Sequence, residues 1–186
     1  FLADIQPQHL SHLVDVLQGN YTKEERFLLN VVVKHENTII YQSMALNDMV
    51  LHKSKAVNMI EFDTTINDKP LCNQRADGLV VATPTGSTAY ALSGGGPIIH
   101  PSQDVLVIVP MLPHKLSSRP IVIDGRAQLD IHVSEHNLES PSISCDGQES
   151  FTVPLGAHII ITEAKQKIQL IHPESYDYFE TLRQKL

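Results

Sequence analysis

From Arg26 onward the chain is a succession of short segments rich in Val, Ile, Leu and Thr. RFLLNVVVKH, TIIYQSMAL, NDMVLHK and VNMIEFDTTI come first, and GLVVAT and DVLVIVP follow. RPIVID, QLDIHV, SISCD, SFTVP, HIIIT and KIQLIH then recur at intervals of about ten residues, the mark of stacked antiparallel sheets. Glu36-Asn37 and Asn67-Asp68 sit where hairpin turns fall.

Helical periodicity is confined to the two ends. In PQHLSHLVDVLQGN, Leu10, Leu13, Val14 and Leu17 share one helical face; Pro7 suits the first turn and Gly19 the stop. In the tail, ESYDYFETLRQKL places Tyr178, Leu182 and Leu186 on one face. The expected class is therefore mainly β with flanking helices (α+β). Residues 1–25 read as a helical segment, 26–174 as the β-rich body and 175–186 as a helical tail.

Hydrophobic residues make up 42% of the 186, enough for a core, and with 5% aromatics and no Trp that core must be aliphatic. A formal charge of -7 lacks the basic footprint of a nucleic-acid binder. Cys72 and Cys145 cannot build a disulfide framework, so a reducing, cytoplasmic setting is the default. No apolar run reaches the roughly 18 residues of a membrane helix, and no signal peptide is visible. The chain opens FLADIQP, without Met, which reads as the interior of a larger protein.

ADGLVVATPTGSTAYALSGGGP, from Ala76 to Pro97, carries the candidate chemistry. An apolar strand ends in prolines, glycines and hydroxyls ahead of a short helical stretch. There is no Lys of a P-loop and no G-x-G-x-x-G order. Thr85, Gly86, Ser87 and Thr88 offer N–H groups and hydroxyls at a helix start, where the dipole favours phosphate or ribose oxygens. Plain helix capping is the competing reading, yet one cap needs one hydroxyl. Gly94, Gly95 and Gly96 allow either close approach to a ligand or a flexible loop.

Around this stretch, Arg75 and Asp77 would share a face if the strand begins there, and a carboxylate can hold two ribose hydroxyls. A surface ion pair is the alternative. Asn47-Asp48 interrupts the apolar MALNDMVLH, as turn polarity or as base and ribose recognition. Asp146 and Gln148 fall in a Gly turn that reads as a plain hairpin. His9 with His12 and His132 with His136 lack zinc spacing, and PTGSTAY is not a serine-hydrolase elbow. The proline-rich PMLPHKLSSRPIVI suits either a brace for the site or a subunit contact.

Taken together, ALNDMVLH, MIEF, NQRADGLVVATPTGSTAYALSGGGPIIHP, LVIVPMLPHKLSSRPIVI and SCDGQ resemble the NAD kinase family, most of all its bacterial members. The resemblance implies transfer of the γ-phosphoryl of ATP to the adenosine ribose 2′-hydroxyl of NAD, with a divalent metal, magnesium, accompanying ATP. It implies an N-terminal α/β domain, a C-terminal domain mainly of strands with NAD between them, and a homo-oligomer in which a neighbouring subunit completes the site. Residues 26–174 would then be the NAD-binding domain, and both helical ends would lie against the N-terminal domain.

By the same resemblance, Asn47, Asp48, Asn58, Arg75, Asp77, Thr88, Ala89, Tyr90, Ala91, Leu92, Ser93 and Gln148 are NAD-contacting positions. Asp48 stands where the family usually has Glu. The GGDGT motif, whose Asp is the family's general base, is absent from these residues, so no catalytic residue is expected in them and they are expected to be inactive alone. No protein-held metal, membrane or nucleic-acid partner is expected. A lipid-kinase-like relative of the same fold and a non-catalytic dinucleotide-binding module are the alternatives.

Overall fold

The computed structural model describes residues 11–54 and 58–185. Pro7, His9, Leu10 and Leu186, named above, lie outside them.

The chain divides into two units. The larger one, residues 27–166, is two six-stranded antiparallel sheets. One sheet holds β1 (Tyr21–His35), β2 (Thr38–Ala45), β4 (Ile60–Ile66), β5 (Lys69–Ala76), β9 (Leu129–Val133) and β12 (His158–Pro173). Its order is β2-β1-β12-β9-β4-β5, counting for β1 and β12 the parts within this unit. The other holds β3 (Asp48–His52), β6 (Gly78–Ala82), β7 (Val105–Met111), β8 (Ile121–Asp124), β10 (Ser142–Cys145) and β11 (Phe151–Thr152), ordered β11-β10-β3-β6-β7-β8. The expected class, mainly β with stacked antiparallel sheets, is the observed one.

Leu29, Val31, Phe62, Ile131 and Ile159 from the first sheet meet Met49, Leu51, Leu79, Val81 and Leu106 from the second in one aliphatic core. A second cluster explains why GLVVA is apolar throughout. Val80 and Ala82 face away from that core but are covered, with Val107 and Val109, by Ala91 of α2 (Tyr90–Ser93). A strand buried on both faces reads as an unbroken hydrophobic run.

Both expected hairpin turns form with positive φ at their central residues, Glu36 and Asn37 in one and Asn67 and Asp68 in the other. Two expectations differ. HIIIT and KIQLIH are one continuous strand, because the polar residues between them continue the pleat. KPLCNQRA, too polar to read as a strand, is β5, and as an edge strand it tolerates Pro70.

The smaller unit comprises residues 1–26 and 167–186. Its helices are α1 (Ser11–Leu17) and α3 (Tyr178–Lys185). β1 begins at Tyr21, inside the segment expected to be helical. Gly19 ends α1 with φ 94, and Leu13, Val14 and Leu17 are exposed. Within this unit, buried Arg26 and His172 both engage Glu24, and His172 stacks on Tyr176. No helix among the described residues is long and apolar enough to cross a membrane.

Candidate functional site

Strands β3 and β6 run antiparallel, with Asp48 opposite Ala82 and His52 opposite Gly78. That register separates the expected site residues into two groups. One gathers around Asp48, where β6 ends in the hydroxyl-rich bend. The other gathers around Asp77, at the far end of β6. The five residue steps from Asp77 to Ala82 span about 16 Å at roughly 3.3 Å each.

At the first end the bend is held from within. Thr83, fully buried, donates its hydroxyl to the Leu46 carbonyl (2.6 Å) and accepts the Gly86 N–H (3.1 Å), while its own N–H reaches the Asn47 carbonyl (2.9 Å). Ser87, also buried, donates to the Pro84 carbonyl (2.7 Å) and accepts the Ile99 N–H (3.0 Å). The bend and the segment after α2 are thus stitched together and to the Leu46-Asn47 link ahead of β3. Of the surplus hydroxyls, Thr88 donates back to the Thr85 carbonyl (3.2 Å) and Ser87 serves this scaffold. Thr83 carries much of it and was missed in the sequence, where its place at the strand's end was the available signal.

The helical part is slighter than expected: a 3₁₀ turn, Gly86–Thr88, and the four-residue α2. Neither has a side-chain cap at its first flanking residue. Elements this short carry little macrodipole, so a phosphate seat on a helix terminus is not what this bend provides. The nearby Tyr90 N–H favours the charged form of the Asp48 carboxylate instead.

Asp48 is 4% exposed. Burial, then the neighbouring Asp146 carboxylate, push its pKa up to about 6, against the pull of the Tyr90 N–H. Asp146 also holds the approach to β3. Its carboxylate accepts N–H bonds from Leu46 (2.8 Å), Asn47 (2.7 Å) and Asp48 (3.2 Å), and its own N–H returns to the Asp48 carbonyl (2.9 Å). Thr88, Ala89, Tyr90 and Ser93 are partly or fully exposed along the bend, and Asn47 is half-buried beside it. Gln148 is exposed, its N–H closing the Asp146-Gly147 turn onto the Cys145 carbonyl (3.0 Å).

The Ala91 side chain is fully buried and faces the sheet. Two of the glycines are closely packed. A Cβ on Gly94 would lie 2.7 Å from Val109 Cγ1, and one on Gly96 2.8 Å from the Ala91 carbonyl oxygen. Both are glycine so that the chain can lie flat on β7.

At the far end of β6 the chain changes sheets between Ala76 and Gly78. The strand does not begin at Arg75, so the alternation that would align Arg75 with Asp77 is interrupted there. Asp77 pairs with Lys53 at 2.8 Å, while exposed Arg75 lies 3.9 Å from Glu61. Asn58, exposed, lines a shallow pocket with Lys53, Ser54 and Asn137. PHKLSS closes over β5: the His114 N–H donates to the Arg75 carbonyl (2.8 Å) and Gln74 to the Ser118 hydroxyl (3.0 Å). Between brace and subunit contact, these bonds favour the brace.

Among the described residues no group of three or more His, Cys, Asp or Glu could hold a metal ion. What the bend presents is a short exposed edge, Ala89, Tyr90 and Ser93, close to a buried carboxylate. A charged carboxylate accepts hydrogen bonds from hydroxyls and repels phosphates.

Residues 46–173 match the sequence profile of the ATP-NAD kinase C-terminal domain. The chain belongs to the ATP-NAD kinase family. It is 51% identical over 186 residues to the NAD kinase of Coxiella burnetii (strain Dugway 5J108-111), covering 100% of this chain and 62% of that protein. It is 53% identical over 187 residues to that of Pseudomonas entomophila (strain L48), covering 100% of this chain and 63% of that protein. The chain therefore spans less than two thirds of these NAD kinases. Two solved structures share the fold. A yeast NADH kinase complexed with NADH superposes with a TM-score of 0.87 at 24% identity, over 96% of this chain and 54% of that one. An NAD kinase from Archaeoglobus fulgidus in complex with ATP gives 0.78 at 22%, over 97% and 66%.

Proposed function

We propose that this chain is the NAD-gripping part of an NAD kinase, in which the γ-phosphoryl of ATP passes to the adenosine ribose 2′-hydroxyl of NAD. The ribose oxygen bonds to the γ-phosphorus, the bond from that phosphorus to the β-phosphate oxygen breaks, and NADP and ADP leave. The hydroxyl proton goes to a general base, which the family resemblance puts in the GGDGT motif rather than in these residues. These 186 residues alone would bind without transferring.

The single observation that carries this reading is Asp48: a buried carboxylate at a strand end, flanked by Asn47 and the exposed edge of the Thr88–Ser93 turn. A carboxylate there holds sugar hydroxyls and fixes the acceptor. Phosphoryl transfer is mostly positioning and charge neutralisation, so a residue that fixes the acceptor governs the rate. Thr88, Ala89, Tyr90, Leu92 and Ser93 line the adenine and ribose, and Gln148 adds a contact from the β10–β11 turn. ATP enters with its divalent cation as one substrate. Among the described residues no group of three or more His, Cys, Asp or Glu could hold that cation. A cytoplasmic setting suits these substrates.

Asp77, Arg75 and Asn58 belong to the same reading if the subunits of a homo-oligomer share sites. One subunit's Asp77 would serve NAD held by Asp48 of its neighbour. Asp77→Ala in the whole protein is expected to raise the NAD dissociation constant at least tenfold. Its melting temperature should barely move, since a surface ion pair contributes about 0–1 kcal/mol. Mixing Asp77→Ala with Asp48→Ala subunits should restore part of the activity that each lacks. Unchanged NAD titration of Asp77→Ala would remove it from the site. Phosphorylation of diacylglycerol in place of NAD would replace the reading by the lipid-kinase one.

A further inference from the structure

The turn at Asp146 does more than reverse the chain. Asp146 and Gly147 both have positive φ (52° and 66°), and the Gln148 N–H closes the turn onto the Cys145 carbonyl. That turn needs only a residue tolerant of positive φ, and Asn or Gly would serve. The Asp146 carboxylate meanwhile makes three bonds to residues about a hundred positions away, to the N–H groups of Leu46, Asn47 and Asp48. These groups lie where the chain leaves β2 and enters β3. Leu46 and Asn47 lie in the gap between the strands and Asp48 is the first residue of β3, and N–H groups taken out of water need acceptors. A carboxylate, with two oxygens and several lone pairs, is the one side chain short enough to sit here and still accept all three.

We propose that Asp146 is a positioning residue: its carboxylate sets the backbone of Leu46–Asp48 and thereby aims the Asn47 and Asp48 side chains at the nucleotide. This rests on the NAD-binding reading above. The bonds from Thr83 to the Leu46 and Asn47 carbonyls hold the same segment from the opposite side, so the loop is clamped between the bend and the turn.

The test is Asp146→Asn in the whole protein, a change the turn accommodates and the clamp does not, because an amide has one acceptor oxygen. Amide hydrogen exchange at residues 46–48 should quicken at least tenfold, while that of the β6 core strand stays as in the parent. The KM for NAD should rise at least tenfold with the KM for ATP unchanged. Should the Asn variant melt below the assay temperature, Asp146→Gly, which the positive φ also tolerates, carries the same comparison. Unchanged exchange at 46–48 overturns the clamp. Faster exchange with an unchanged KM for NAD overturns its role in aiming the side chains. If the parent protein does not bind NAD, the functional reading fails and this role fails with it, whatever the exchange shows.

Discussion

Gly86→Ala should unmake the site and much of the protein's stability with it. A Cβ at Gly86 would stand 2.7 Å from Asn47 Cα and closer still to that residue's carbonyl carbon and oxygen. These are backbone atoms, and they are fixed from two sides: Thr83 donates to the Asn47 carbonyl and Asp146 accepts the Asn47 N–H. Neither neighbour can yield without breaking a buried hydrogen bond. We expect a loss of about 3–5 kcal/mol, at the upper end for a single added methyl. NAD binding should be lost even at temperatures where the variant remains folded. Gly95→Ala is the matched control. Nothing lies within 4 Å of its Cβ, and its φ of +80 is the only obstacle, a strain of about 1–2 kcal/mol. Thermal melts and NAD titrations of the two variants check this. Equal effects would mean that contact between the bend and Asn47 is not what organises the site.

Asp48→Asn should separate stability from function in opposite directions. The carboxyl has its pKa raised from 3.8 to about 6 on folding, first by burial and then by Asp146. Between those values the folded chain binds more protons than the unfolded one, so stability falls as pH rises from about 4 to about 6 and remains lowered above. The rise of about two pKa units corresponds to about 3 kcal/mol. An amide at this position carries no charge and escapes that penalty. The variant should therefore melt higher than the parent at pH 8 and at a similar temperature at pH 4. Its affinity for NAD should fall about a hundredfold, because an uncharged acceptor holds ribose hydroxyls less tightly. A variant that melts no higher at pH 8 would show that the Asp48 charge is not strained by its surroundings. Stability withheld at a residue proposed to bind substrate would be a common trade between fold and function.

The β body was legible because its signal is local. Hairpin pairs such as Asn67-Asp68 have one cheap conformation, and GLVVAT is apolar because both its faces are covered. The polar edge strand Lys69–Ala76 was not legible, since its pairing with β4 and not its composition makes it a strand. Within the site, the family motif identified Asp48 and the Thr88–Ser93 turn. It could not reveal that Ser87 and Ala91 face inward, because neighbouring small residues look alike in sequence and are sorted only by packing. Asp146 read as a plain turn residue. Its bonds to Leu46–Asp48 join segments a hundred residues apart, and no local pattern records them. The separation of Asp77 from Asp48 was likewise invisible until the register of β3 on β6 was known.

Crystals of the whole protein grown with NAD would show what the Asp48 carboxylate holds. The adenosine ribose should lie against the Asp48 carboxylate with its hydroxyls donating to it, and the adenine should rest along Thr88–Ser93. A dinucleotide bound elsewhere, with Asp48 and Asn47 touching none of it, would contradict the account.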